Sequence, residues 1–208
     1  CTIAMDERPM EVMQKTLQVI RKADPEFKVS LAGNFHKELE ADIYDYCIPI
    51  GASYPAEVLA RRAQNNLPTT YYTCCTEAFP NTFTFSDPAE AAWMSYYSAK
   101  DHLDGYLRWA NNSWPKEPLL DSRFEAWAGG DTYLVYPGAR SSIRFEKLIE
   151  GVQAHEKITI LRKEFTDKKN KTGFKKLEKM LSTFNLRDFP EVPAAETVNK
   201  ANKILNSL

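Results

Sequence analysis

The chain has 208 residues, 43% apolar and 26% charged, an ordinary globular balance with enough material for a core. Lys and Arg total 27 against 28 Asp and Glu, and the net charge of -1 gives neither nucleic acid nor an anionic membrane a footing as partner. No apolar run approaches the roughly 20 residues of a membrane helix. Ten Tyr, eleven Phe and four Trp are the informative excess, since aromatic rings fill cores and also lie against the C–H faces of sugars.

In chain order, residues 2–5 read as a short apolar strand ending at Asp6-Glu7. Pro9 opens a helix with Met10, Met13, Leu17 and Ile20 on one face. Residues 27–32 form the next strand, stopped by Gly33, and residues 43–50 a third, stopped by Gly51. Pro55 opens a second helix, residues 69–75 are a fourth strand, 89–102 a helix and 105–110 a fifth strand. Strands alternating with helices predict an α/β fold with a parallel sheet. The five strands fit the later part of a (β/α)8 barrel followed by C-terminal helices, or else an open doubly wound sheet. No Gly-rich phosphate loop follows any strand, which weakens nucleotide-binding versions.

Past residue 111 the pattern changes. Residues 111–138 are loop-like, and 144–165 form a long amphipathic helix with Phe145, Leu148, Ile149, Val152, Ile158, Leu161 and Phe165 inward. Residues 168–176 read as a basic, solvated turn, followed by helices over 174–184 and 194–205. This divides the chain into 1–165, the barrel portion, and 166–208, a helical extension packed on it. Cys1, Cys47, Cys74 and Cys75 match no zinc or disulfide spacing and read as buried thiols, and His36, His102 and His155 lack metal-ligand spacing. Residue 1 is Cys rather than Met and leads straight into a strand, so the sequence is expected to begin inside a longer polypeptide.

Asp6-Glu7 lies at the C-terminal end of the first strand, the catalytic face of a parallel barrel. The same pair before Pro9 also suits a helix N-terminus. Adjacent Cα atoms are about 3.8 Å apart, too close to flank a scissile bond from opposite sides as paired carboxylates do in most glycosidases. Neighbouring carboxylates suit a substrate-assisted reaction instead. There the sugar's acetamide oxygen attacks the anomeric carbon, one carboxyl protonates the leaving oxygen, and the other stabilises the oxazolinium.

Three runs carry a resemblance: Gly105-Tyr106-Leu107-Arg108-Trp109-Ala110-Asn111-Asn112-Ser113-Trp114, Gly130-Asp131-Thr132-Tyr133-Leu134-Val135-Tyr136-Pro137-Gly138, and Ser142 to Gly151. They resemble the catalytic domain of glycoside hydrolase family 123, β-N-acetylgalactosaminidases, over about residues 2–165. Asp6-Glu7 is similar to that family's catalytic Asp-Glu. The resemblance implies a (β/α)8 barrel whose upstream strands precede this sequence, and retaining, substrate-assisted hydrolysis of an amino-sugar glycan. It also implies no metal or cofactor and a periplasmic or extracellular setting. Glu7 would be the acid/base and Asp6 the acetamide partner.

By position, Asn34, Tyr72, Trp109, Asn111, Trp114 and Asp131 are candidate substrate-binding residues. Alternation turns only one of Tyr71 and Tyr72 to the barrel interior, and each aromatic has a core alternative. Asn34 and Asp131 have turn alternatives. Two other readings stay open. One is a carbohydrate-binding or scaffold protein without activity. The other is a conventional two-carboxylate glycosidase, with Glu77 or Asp131 as the second acid.

Overall fold

A computed structural model describes residues 2–188 and 191–208; Cys1 lies outside them. Five parallel strands form one sheet: β1 (Thr2–Met5), β2 (Lys28–Ala32), β3 (Asp45–Pro49), β4 (Thr69–Tyr72) and β5 (Gly105–Leu107). Their spatial order is their sequence order. A doubly wound sheet reverses direction at a switch point; this sheet does not, and its winding is that of a (β/α)8 barrel portion. The helices are α1 (Met10–Ala23), α2 (Ala56–Gln64), α3 (Ala89–Lys100), α4 (Ile143–Asp167), α5 (Lys171–Leu181) and α6 (Ala194–Leu205).

The chain forms two compact units, residues 1–72 with 103–107, and residues 73–102 with 108–208. The boundary expected at 165/166 instead falls inside α4, which runs unbroken to Asp167.

The first unit holds the sheet, α1 and α2. In-register neighbours share a face. One face carries Val29, Leu31, Tyr46, Ile48 and Tyr71, all buried. The other carries smaller or polar groups, with Ala4 beside Ser30, Ser30 beside Asp45, and Cys47 beside Thr70. Arg62 of α2 has no exposure and is fully used. It donates to the carbonyls of Ile43, Tyr44 and Pro68 at 2.8–3.0 Å, to Thr69 Oγ1 at 3.1 Å and to Glu40 Oε1 at 3.2 Å. These bonds tie α2 to the chain leading into β3 and β4.

The second unit is helical around α3, in which eleven of 12 residues are buried. α4, α5 and α6 all pack on α3. The buried stripe of α4 is Arg144, Gly151, Ala154, Ile158, Leu161 and Phe165. Ile149 and Val152, expected inward, are 38% and 51% exposed. Gly151 explains the difference. A Cβ there would stand 2.8 Å from Ala92 Cα and 2.9 Å from Ala92 O, so α3 approaches along small residues rather than large ones.

The basic run expected as a turn is largely helix. Asn170 caps α5 by accepting the Gly173 amide at 2.9 Å, and Leu177, Met180 and Leu181 anchor it. β4 ends at Tyr72 rather than residue 75, because the Cys74 amide donates to Glu77 Oε2 at 2.6 Å and its carbonyl accepts from Asn81. Cys74 is half-buried and Cys75 exposed, against the expectation for both; Cys47 is buried.

Candidate active site

Asp6 and Glu7 follow β1 directly at the C-terminal edge of the sheet, and both are exposed. Pro9 stands at the N-cap of α1 without a side-chain cap bond. Glu7 Oε1 accepts the Tyr72 hydroxyl from the end of β4. Period-two alternation makes this possible: Tyr71 pairs in register with Ile48 on the buried face, and Tyr72 projects from the opposite one.

A second constraint on Glu7 comes from Gly33, just past β2. A Cβ at Gly33 would lie 3.1 Å from Glu7 Cγ and 3.8 Å from Glu7 Cα. Gly33 is thus the floor on which Glu7 rests, a role the sequence reading missed by treating it as a strand stop. Asn34 follows, exposed, and its carbonyl accepts the Tyr46 hydroxyl at 3.0 Å while that hydroxyl accepts the His36 amide at 2.8 Å. Tyr46 is buried in β3, so the core fixes the 34–36 turn. Glu7, Arg8, Gly33, Asn34 and His36 line a small cleft of about 60 Å³ floored by Met13 and Leu31.

The remaining candidates belong to the second unit. Residues 111–114 and 132–135 zip together: Asn111 O accepts the Leu134 amide at 2.9 Å, Ser113 N–H donates to Thr132 O at 3.0 Å, and Trp114 Nε1–H donates to Val135 O at 2.7 Å. Two of the three quoted runs therefore meet as one structure, with Asn112 bridged antiparallel to Tyr133. Asn111 leaves its side chain exposed.

Asp131 is not placed to meet a sugar. It is fully buried, with Oδ1 paired to Arg108 Nη2 at 2.5 Å and Oδ2 accepting Trp109 Nε1–H at 3.1 Å. Glu77, the other candidate second acid, is held inside its own turn. Burial pushes its carboxyl up, but hydrogen bonds from the Cys74 amide and the Thr76 hydroxyl outweigh this and hold it below its ordinary value. Among the described residues no cluster of three or more His, Cys, Asp or Glu side chains is placed to hold a metal. No helix among the described residues is long and apolar enough to cross a membrane.

Comparison with known proteins gives these placements a context. The profile of the glycoside hydrolase 123 catalytic domain matches residues 1–161. No curated protein matches the chain. Among solved structures the chain is similar to a family 123 glycoside hydrolase from Clostridium perfringens, whose structural analysis concerns glycolipid glycan hydrolysis. The identity is 26% and the TM-score 0.79, over 99% of this chain and 40% of that one. The chain thus spans well under half the length of that relative. A profile match over most of the residues, joined to a shared fold, is enough to place it: this chain belongs to glycoside hydrolase family 123, within the catalytic domain.

Proposed function

We propose that the chain carries the catalytic pair of a retaining, substrate-assisted hydrolase of terminal β-N-acetylgalactosaminides or related N-acetylhexosaminides. The observation that carries this reading is the Asp6–Glu7 step at the C-terminal end of β1, with Glu7 held by Tyr72. In the first step the acetamide carbonyl oxygen attacks the anomeric carbon as the glycosidic C–O bond breaks, and Glu7 gives its proton to the leaving oxygen. Asp6 accepts the acetamide N–H and stabilises the positive charge of the oxazolinium. Glu7, now a base, takes a proton from water as it opens the ring, which restores the acetamide and the β configuration. Tyr72 keeps Glu7 aimed through both steps. A glycan of the glycolipid kind described for the C. perfringens relative is a candidate substrate.

Neither candidate second acid of the two-carboxylate alternative is free to serve it. Asp131 has both oxygens engaged in a buried ion pair and an indole bond, and Glu77 is tied into its turn.

The test is made on the full-length protein, with aryl β-N-acetylgalactosaminides of graded leaving-group ability and the matching aryl galactosides. Galactosides, lacking the acetamide, should not turn over. Glu7→Gln should cost about 10²–10⁴ in kcat on poor leaving groups and far less on activated ones. Asp6→Asn should impair every N-acetylated substrate. Equal rates with and without the acetamide would remove substrate assistance.

A further inference from the structure

Trp109 and Trp127 stand at the surface of the second unit, 49% and 38% exposed. Their ring centroids are 5.4 Å apart and their planes inclined by 50°. An indole left this open gives up burial that its ring would otherwise gain. Here the structure goes further and fixes one of the two rings. Trp109 Nε1–H is held by the buried Asp131 carboxylate, whose other oxygen pairs with Arg108.

Arg108, with its side chain 4% exposed, is itself fully used. It donates to the Asp131 carbonyl at 3.0 and 3.2 Å, to Asn81 Oδ1 at 2.7 Å and to Thr73 O at 3.4 Å. Burying two charges costs desolvation that their attraction only partly returns. This pair anchors the polar edge of a surface indole and leaves ring surface open to water. A ring whose only task was to fill space would not need its rotation fixed by a charge.

We propose that Trp109 and Trp127 form an aromatic carbohydrate-binding platform that takes a pyranose ring of the glycan against its C–H face, with Asp131 as the positioning residue. The proposal deepens the functional reading above only in taking a carbohydrate as ligand, and it stands apart from the roles given to Asp6 and Glu7. Trp127 belongs to none of the runs that carry the family resemblance, and Asp131 changes from a sugar contact to the residue that holds one.

The test uses full-length protein labelled with fluorotryptophan, followed by fluorine NMR. The ligand is the methyl glycoside of an N-acetylgalactosamine-terminated disaccharide, with glycerol as control. The Trp109 and Trp127 resonances, assigned by single replacement, should shift with the disaccharide and not with glycerol. Trp127→Tyr should keep most of the affinity, and Trp127→Leu, which keeps apolar bulk without a π face, should weaken it on the order of tenfold. Asp131→Asn should weaken it as well and move the Trp109 resonance before any ligand is added, which a purely structural carboxylate would not do. Thermal melts identify variants that fail to fold, and the Tyr–Leu comparison then decides. Equal affinity for the Leu and Tyr variants, or unshifted indole resonances at saturating disaccharide, overturns the proposal. Shifted indoles without hydrolysis would sink the catalytic reading and keep the platform; hydrolysis without shifted indoles would do the reverse.

Discussion

Glu7 is held from two sides, by the Tyr72 hydroxyl and by the missing side chain of Gly33. Both constraints can be tested without touching a carboxylate. Gly33→Ala forces Glu7 Cγ to give by a few tenths of an ångström, and kcat should fall severalfold while the melting temperature stays within a few degrees. Tyr72→Phe removes the hydroxyl and keeps the ring, and kcat should fall roughly tenfold, the worth of about 1.4 kcal/mol of lost positioning. Wild-type kcat in both variants would mean that Glu7 is not held where the chemistry needs it. The placement of Asp6, Glu7 and Tyr72 at strand ends was legible in the sequence because strand geometry is simple: a strand end marks an edge, and alternation assigns a face. Gly33 was half legible, since a glycine after a strand reads equally as a stop and as a close approach. The burial of Asp131 was not legible because a loop has no period. Nothing local separates a carboxylate turned to solvent from one buried against Arg108, which comes 23 residues earlier.

Among the elements, α3 and α4 show what hydropathy cannot report. Their contact runs through Gly151, where an added Cβ would meet Ser95 Oγ and, at 2.8–2.9 Å, backbone of Ala92 that cannot turn aside as a side chain can. Gly151→Val should therefore destabilise by about 1–3 kcal/mol, as overpacked sites do. Gly151→Ala gains about 1 kcal/mol of helix propensity yet should still lose overall. Thermal melts check both, at roughly 2–4 °C per kcal/mol for a chain of this size; an unchanged Gly151→Val would show that the helices can part at no cost. The same contact explains why the inward face of α4 was only partly legible. Ile158, Leu161 and Phe165 are apolar and buried as read, while Gly151 and the buried Arg144 carry no hydrophobic signal. The strands were easier to find, being short apolar runs between Gly and Pro. Their ends were harder, because β4 stops where side chains of Glu77 and Asn81 take the Cys74 backbone groups that a ladder would have used.

At the scale of the whole molecule, the path of the chain through its two units was not legible, because it depends on contacts between residues far apart in sequence. The sheet is interrupted between β4 and β5 by residues 73–102, which contain α3. The Thr69 amide donates to Asp104 Oδ2 and the Asp104 amide returns a bond to Thr69 O, both at 2.7 Å, across that interruption. A fragment ending at Tyr72 should thus lose protection of its β4 amides in hydrogen exchange. One ending at Leu107 keeps the sheet but carries α3 stripped of α4, α5 and α6, and should bind hydrophobic dyes. Native-like protection in the shorter fragment would show that β5 adds nothing to the sheet. The same path bears on heredity. No single recombination breakpoint at 72/73, 102/103 or 107/108 passes on both units entire, and each such event would leave one parent's helix or strand among the other parent's neighbours. Exchange of one unit alone would take three breakpoints, so variation should enter this lineage by substitution within the units more readily than by exchange of either one.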